Sequence, residues 1–232
     1  DEKETCSIRV ADLLRDAVYR QTRADVPVAV FLSGGLDSSA VTALAVPALK
    51  EQGLPTFSFS VDYTGSQDHF CSTAYQRDAD FMWVEQAADH LGSRHRSIVL
   101  DSRELAGSLP EAMKAADYPA MADIDGSLLL FCREVKKYAT VALSGECADE
   151  IFGGYPWFHW EDRRDETFPW IRAVDERMAL ISPGLKPWLP DFCRDYLNER
   201  YQEAVREVPG LEGESGFDAH KRLLLYICLT RF

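Results

Sequence analysis

The chain has 232 residues, enough for one large α/β domain or such a domain with a helical extension, and its formal net charge of -13 argues against nucleic-acid and anionic-membrane partners. Six cysteines, at positions 6, 71, 132, 147, 193 and 228, form no C-x-x-C pair and no metal-ligand spacing, which suits a reducing compartment. No apolar run approaches the ~20 residues of a membrane span and the first residues have no signal-peptide character, so a soluble, cytoplasmic protein acting on small molecules is expected.

Ser7 is expected to cap a first helix, whose Val10, Leu13, Leu14, Ala17 and Val18 recur on one face and would cover a sheet. Asp25-Val26-Pro27 then resets the chain into a strand, Val28-Ala29-Val30. It runs into Phe31-Leu32-Ser33-Gly34-Gly35-Leu36-Asp37-Ser38-Ser39 and on into a second helix. A short apolar run, then glycines and small hydroxyl residues, then a helix is what a phosphate cradle needs. The glycines leave backbone N–H groups unobstructed, the hydroxyls add donors, and the helix start brings partial positive charge. The loop lacks the lysine of the G-x-x-x-x-G-K-S/T form and carries Asp37 instead. A carboxylate beside a phosphate needs a cation between them, so Asp37 reads as a magnesium ligand.

The second helix has Val41, Leu44, Ala45 and Leu49 on one side, with a bend or break expected at Pro47 and an end at Gly53. A second strand follows over Thr56 to Val61, giving a parallel βαβ unit with Leu32 and Val61 as candidates to sandwich an adenine ring at the strand ends. The stretch from Asp62 to Asp78 has little periodicity and reads as a long loop, with Tyr63, His69, Phe70 and Tyr75 in it. A helix over Asp80 to Leu91, closed by Gly92, leads to a third strand over His95 to Leu100, with His90 and His95 as packing or surface residues. Next come a helix over Ser102 to Ala116, a turn around Tyr118-Pro119, and a helix capped by Asp125 or Ser127 with Leu128, Phe131, Cys132 and Val135 inward.

A fourth strand, Thr140 to Leu143, runs into Ser144-Gly145-Glu146-Cys147-Ala148-Asp149-Glu150-Ile151-Phe152-Gly153-Gly154-Tyr155. Three acids within five residues at the end of a buried strand are costly unless a cation or substrate compensates them. The remainder is aromatic-rich and helical, with stripes Trp170, Val174, Met178, then Phe192, Tyr196, Leu197, Tyr201, then Leu224, Ile227, Cys228 capped by Asp218.

Ser33 to Ser39 resembles the pyrophosphate-binding loop of the ATP pyrophosphatases. Together with Ser144 to Tyr155, and with Asp117-x-Pro119 and Asp125-x-Ser127 between, it is similar to the synthetase domain of the glutamine-dependent asparagine synthetase family over roughly residues 8 to 160. The resemblance implies a parallel twisted sheet with helices on both faces over 1–160, and a helical extension over 161–232. It also implies a ligase that joins aspartate, ATP and ammonia through an acyl-adenylate, releasing pyrophosphate and then AMP. In that reading Ser33, Gly34, Gly35, Ser38 and Ser39 hold the pyrophosphate, and Asp37 and Asp149 anchor Mg2+. Leu32, Val61, Ser144 and Gly145 cradle adenosine, and Glu146, with Asp149, is catalytic. Cys147 departs from the family, which more often has glycine there.

The resemblance further implies a glutaminase domain outside this chain, basic residues beyond Phe232, and a homodimer among the partners. The uncapped last helix leads to the expectation of a truncated chain, one that binds ATP and magnesium but turns over poorly. A relative closing a β-lactam or lasso-peptide ring through the same adenylate, a non-catalytic nucleotide-binding module and a tRNA-modifying relative are the competing readings.

Overall fold

A computed structural model describes residues 2–72, 80–117, 121–160, 167–171, 179, 181–185, 187 and 190–231. The chain divides into two compact units, residues 1–146 and 147–232, so the second acidic signature straddles the division. None of the described helices is long and apolar enough to cross a membrane.

In the first unit β1 (Val28–Phe31), β2 (Phe57–Tyr63), β3 (Arg94–Leu100) and β4 (Val141–Leu143) form one parallel sheet in the order β3-β2-β1-β4. The central β1 and its neighbour β4 are short apolar runs, β1 being covered on both faces, whereas β2 alternates with serines and β3 opens with Arg94, His95 and Arg96. Alternation along β1 sorts the two layers. Val28 and Val30 pack with Val18 of α1 (Glu2–Gln21) and with Ala45 and Leu49 of α2 (Leu36–Glu51). Ala29 and Phe31 turn the other way, to Phe131 and Val135 of α6 (Ala122–Val135), with Leu105 of α5 (Ser102–Ala116) in the same cluster. Phe59, fully buried in that cluster, contributes about 1.5–3 kcal/mol by leaving water. The short helix α3 (Ser66–His69) follows β2, and α4 (Asp80–Leu91) packs on β2, β3 and α2. The expected parallel sheet with helices on both faces is therefore present.

Several local expectations are corrected. Ser7 lies inside α1, where its hydroxyl donates to the Lys3 carbonyl, and Val10 and Leu13 are exposed while Val18 is buried. The helix α2 runs unbroken through Pro47, because Ala45, Ala48 and Leu49 are buried around it and that packing outweighs one lost hydrogen bond. Beyond it, Gly53 takes φ 73 and closes a Schellman turn, with Leu54 N–H donating to the Leu49 carbonyl. The stretch after Val61 is not all loop, since β2 extends to Tyr63 and α3 follows; Tyr75 lies outside the described residues.

Neither Asp125 nor Ser127 caps α6, which begins at Ala122 with Met121 as its N-cap. Leu128 and Cys132 are exposed on that helix, and Leu130 takes the core position instead. Tyr118 and Pro119 lie outside the described residues.

The second unit holds α7 (Ala148–Phe152), a 3-10 turn (Pro156–His159), α8 (Pro190–Glu207) and α9 (Gly216–Arg231). Leu224, Ile227 and Cys228 of α9 are buried as their spacing predicts, against Phe158, Phe168 and Tyr201. Tyr196 is exposed, contrary to its assigned stripe. Val174 and Met178 lie outside the described residues, as does the side chain of Phe192. Asp218 does not cap α9; Ser215 does, its hydroxyl accepting from Asp218 N–H at 3.1 Å and donating to the Asp218 carboxylate at 2.6 Å.

Candidate active site

Strand order reverses beside β1, with β2 and β3 on one side of it and β4 on the other. Chains leaving the C-terminal ends of β1 and β4 part there and leave a crevice, the place where open parallel sheets bind ligands. The two sequences that leave those ends are Leu32 to Ser38 and Ser144 to Glu146.

The first loop is held by its own hydroxyls. The Ser38 Oγ accepts from Ser33 N–H at 3.1 Å, lies 2.9 Å from Ser33 Oγ, and donates to the Gly35 carbonyl at 3.2 Å. Gly34 turns at φ 83, a region where a side chain would be strained. Gly35 is the N-cap of α2 without any side-chain cap, so its first-turn N–H groups keep no side-chain partner there.

The second loop fits against the first. A Cβ built on Gly145 would lie 2.8 Å from both the Asp37 carbonyl carbon and the Ser38 nitrogen, and 3.1 Å from Asp37 Cβ. Only a bare α-carbon permits that approach. Beside it Glu146 N–H donates to Ser144 Oγ at 3.1 Å.

Between the loops lies a cleft of about 260 Å3 lined by Phe31, Ser33, Gly35, Asp37, Ser38, Ser144, Gly145 and Glu146. Seven of the twelve residues singled out in the sequence are thus brought together: Ser33, Gly35, Asp37, Ser38, Ser144, Gly145 and Glu146. Gly34, Ser39, Leu32 and Val61 do not line it. Leu32 is fully buried and its N–H is taken by the Phe59 carbonyl at 2.8 Å, so it has no side-chain face to offer a base; Val61 is 39% exposed on β2. Phe31 is a lining residue the sequence reading missed. The signal was its position as the last residue of β1, on the same face as Ala29, with its ring 4.8 Å from that of Phe131.

Asp149 belongs to the second unit. Its carboxylate Oδ1 occupies the space a Cβ on Gly154 would need, and its carbonyl accepts from Gly154 N–H at 3.0 Å. Nearby, Tyr155 donates its hydroxyl to Glu150 at 2.7 Å, and that bond holds the phenol well above its ordinary pKa. Cys147 takes φ 71, the left-handed region glycine occupies without strain.

Among the described residues no three His, Cys, Asp or Glu side chains gather as a ready metal site. Asp37 and Glu146 nevertheless put hard oxygen donors on one open cleft. That donor set is too small for a resident ion and suits a magnesium that arrives with phosphates and keeps waters of its own.

A family model for asparagine synthase matches residues 9–228. Asparagine synthetase (glutamine-hydrolyzing) 3 of Bacillus subtilis is 45% identical over 224 residues, covering 96% of this chain and 36% of that protein. Asparagine synthetase (glutamine-hydrolyzing) 1 of the same organism is 35% identical over 66% of this chain and 22% of that protein. Asparagine synthetase (glutamine-hydrolyzing) 2 of Arabidopsis thaliana is 33% identical over 78% of this chain and 33% of that protein. The chain thus spans about a third or less of the length of these curated relatives. A solved structure titled "predicted subunit of tRNA methyltransferase" from Methanocaldococcus jannaschii overlaps 51% of each chain with TM-score 0.31 and 20% identity, a likeness that says nothing further here. With a match that runs almost from end to end and carries both signature loops, this chain belongs to the asparagine synthase family.

Proposed function

We propose that this chain is the ATP-using, amide-forming part of an asparagine synthetase. The observation that carries the reading is the seating of Gly145 on Asp37 and Ser38, which makes two distant signatures into one cleft at the switch point of the sheet. An aspartate side-chain oxygen attacks the α-phosphorus of ATP, the bond to the β-phosphate bridging oxygen breaks, and pyrophosphate leaves an acyl-adenylate. Ammonia attacks the acyl carbon, a proton leaves the nitrogen, and AMP departs with the electrons of the C–O bond.

In this reading the N–H groups of Gly34 and of the first turn of α2, with the Ser33 and Ser38 hydroxyls, meet charge where it develops on pyrophosphate. A magnesium bound with the nucleotide would neutralise phosphate charge, and Asp37 is the cleft carboxylate that would hold it. Glu146 takes the nitrogen's proton or steadies the intermediate. The cleft lining holds two carboxylates and no lysine or arginine, so part of the charge on pyrophosphate must be met from outside it. In the whole protein a glutaminase supplies the ammonia.

The test is pyrophosphate release by the whole protein, supplied with ATP, magnesium and ammonia, across a panel of carboxylic acids. Aspartate is expected to stimulate release and to yield asparagine. Stimulation by β-amino-acid or peptide acids but not by aspartate would place the chain with ring-closing relatives, and no stimulation by any acid would make it a binding module.

A further inference from the structure

A second cleft, of about 310 Å3, lies in the first unit away from the two signature loops, between helices α5 and α6 and the edge of β3 that pairs with no described strand. Its floor is apolar, built from the buried Ile98, Leu100 and Leu130. Four charged side chains line it, and they divide into two kinds. Arg133 is bound outward to Glu111 at 2.5 Å, and Glu134 to Lys137 at 2.6 Å. Arg96 and Glu104 have no ion pair or side-chain hydrogen bond among the described residues, with each other or with any neighbour.

Arg96 is not loose. Its guanidinium lies 4.5 Å from the centroid of the Tyr138 ring, and that ring packs at 5.6 Å on Phe59, so the cation rests over an aromatic face. Glu104 sits in the first turn of α5, where the helix dipole favours its charge. Opposite charges thus line two walls of one cleft without pairing.

The strand wall adds backbone groups. Arg94 donates to the Thr56 carbonyl and Leu100 accepts from Thr64 N–H, so even-numbered residues of β3 bond to β2. Ser97 and Val99 turn their N–H and carbonyl groups to the edge that pairs with no described strand. A ligand that satisfies this set carries a carboxylate for Arg96, an ammonium for Glu104 and the edge carbonyls, and an apolar body for Ile98, Leu100 and Leu130.

We propose that this cleft binds a free α-amino acid with an apolar side chain, at a site separate from the ATP cleft. Isothermal titration of the protein with L-leucine tests it, with 4-methylpentanoate and isoamylamine as probes that each keep one charge. Saturable binding of L-leucine is expected, with both single-charge probes and both variants Arg96→Gln and Glu104→Gln weaker by about tenfold or more. Asp37→Asn should bind L-leucine as the parent does, and Arg96→Gln should bind ATP as the parent does, which shows that the exposed substitution leaves the fold intact. Absence of saturable L-leucine binding up to about 20 mM, or binding unchanged in Arg96→Gln, overturns the proposal.

Discussion

Gly145 stands against Asp37 with no room for a side chain between them, since a Cβ at 145 would come within 2.8 Å of the Asp37 carbonyl carbon. The atoms in the way are backbone and cannot swing aside. Gly145→Ala is therefore expected to push the two loops apart, destabilising the first unit by about 1–3 kcal/mol and weakening ATP binding by about tenfold or more. Urea denaturation and ATP titration of the same variant check both effects.

Ser38 organises the first loop from within, because one hydroxyl serves the Ser33 nitrogen, the Ser33 hydroxyl and the Gly35 carbonyl. Ser38→Ala should cost about 1 kcal/mol of stability, in line with a buried hydrogen bond, and should lower ATP affinity out of proportion to that loss. Thermal melts with and without ATP separate the two.

Cys147 holds φ 71 with a Cβ, and a residue other than glycine in that region is strained by about 1–2 kcal/mol. Cys147→Gly relieves the strain while adding freedom to the unfolded chain, so a net gain of about 0.5–1 kcal/mol is expected. Cys147→Val should lose stability by a similar or larger amount. Denaturation midpoints of the pair give the sign directly.

Strands were the most legible part of the fold, because short β-branched and aromatic stretches each end in polar turn residues and both sheet faces need covering. Helix starts were less so. At α6, Asp125 and Ser127 look like caps, yet the helix begins earlier at Met121, which supplies no side-chain cap. Ser7 was misleading in the same way, since its hydroxyl is satisfied four residues back inside α1. Pro47 reads as a break only when the packing around it is unknown.

At the site, residue type and spacing identified most of the cleft lining, because glycines, hydroxyls and carboxylates at strand ends have few other uses. Which way a strand-end side chain points was not legible. Leu32 extends the pairing to β2 through its N–H and buries its side chain, while Phe31 before it lines the cleft.

His95 is held between Ser58 Oγ at 2.9 Å and Ser60 Oγ at 3.1 Å, and burial lowers its pKa below the ordinary 6.5 despite an opposing pull from Glu85. Below pH 6.5 the unfolded chain therefore binds more protons at this site than the folded one. Its contribution to stability is full above 6.5 and is lost as pH falls from there towards the folded pKa. Urea midpoints measured from about pH 7.5 down to about pH 5 should fall, and His95→Gln should flatten that slope while lowering stability at the high end.

In the proposed function the two loops make one magnesium-dependent ATP site with Asp37 facing the metal. Calorimetric titration of ATP into the chain, with and without magnesium, for the parent and for Asp37→Asn, tests it most directly. Binding is expected to require magnesium and to weaken by about tenfold or more in the variant. ATP affinity that is the same without magnesium, or the same in Asp37→Asn, would contradict it.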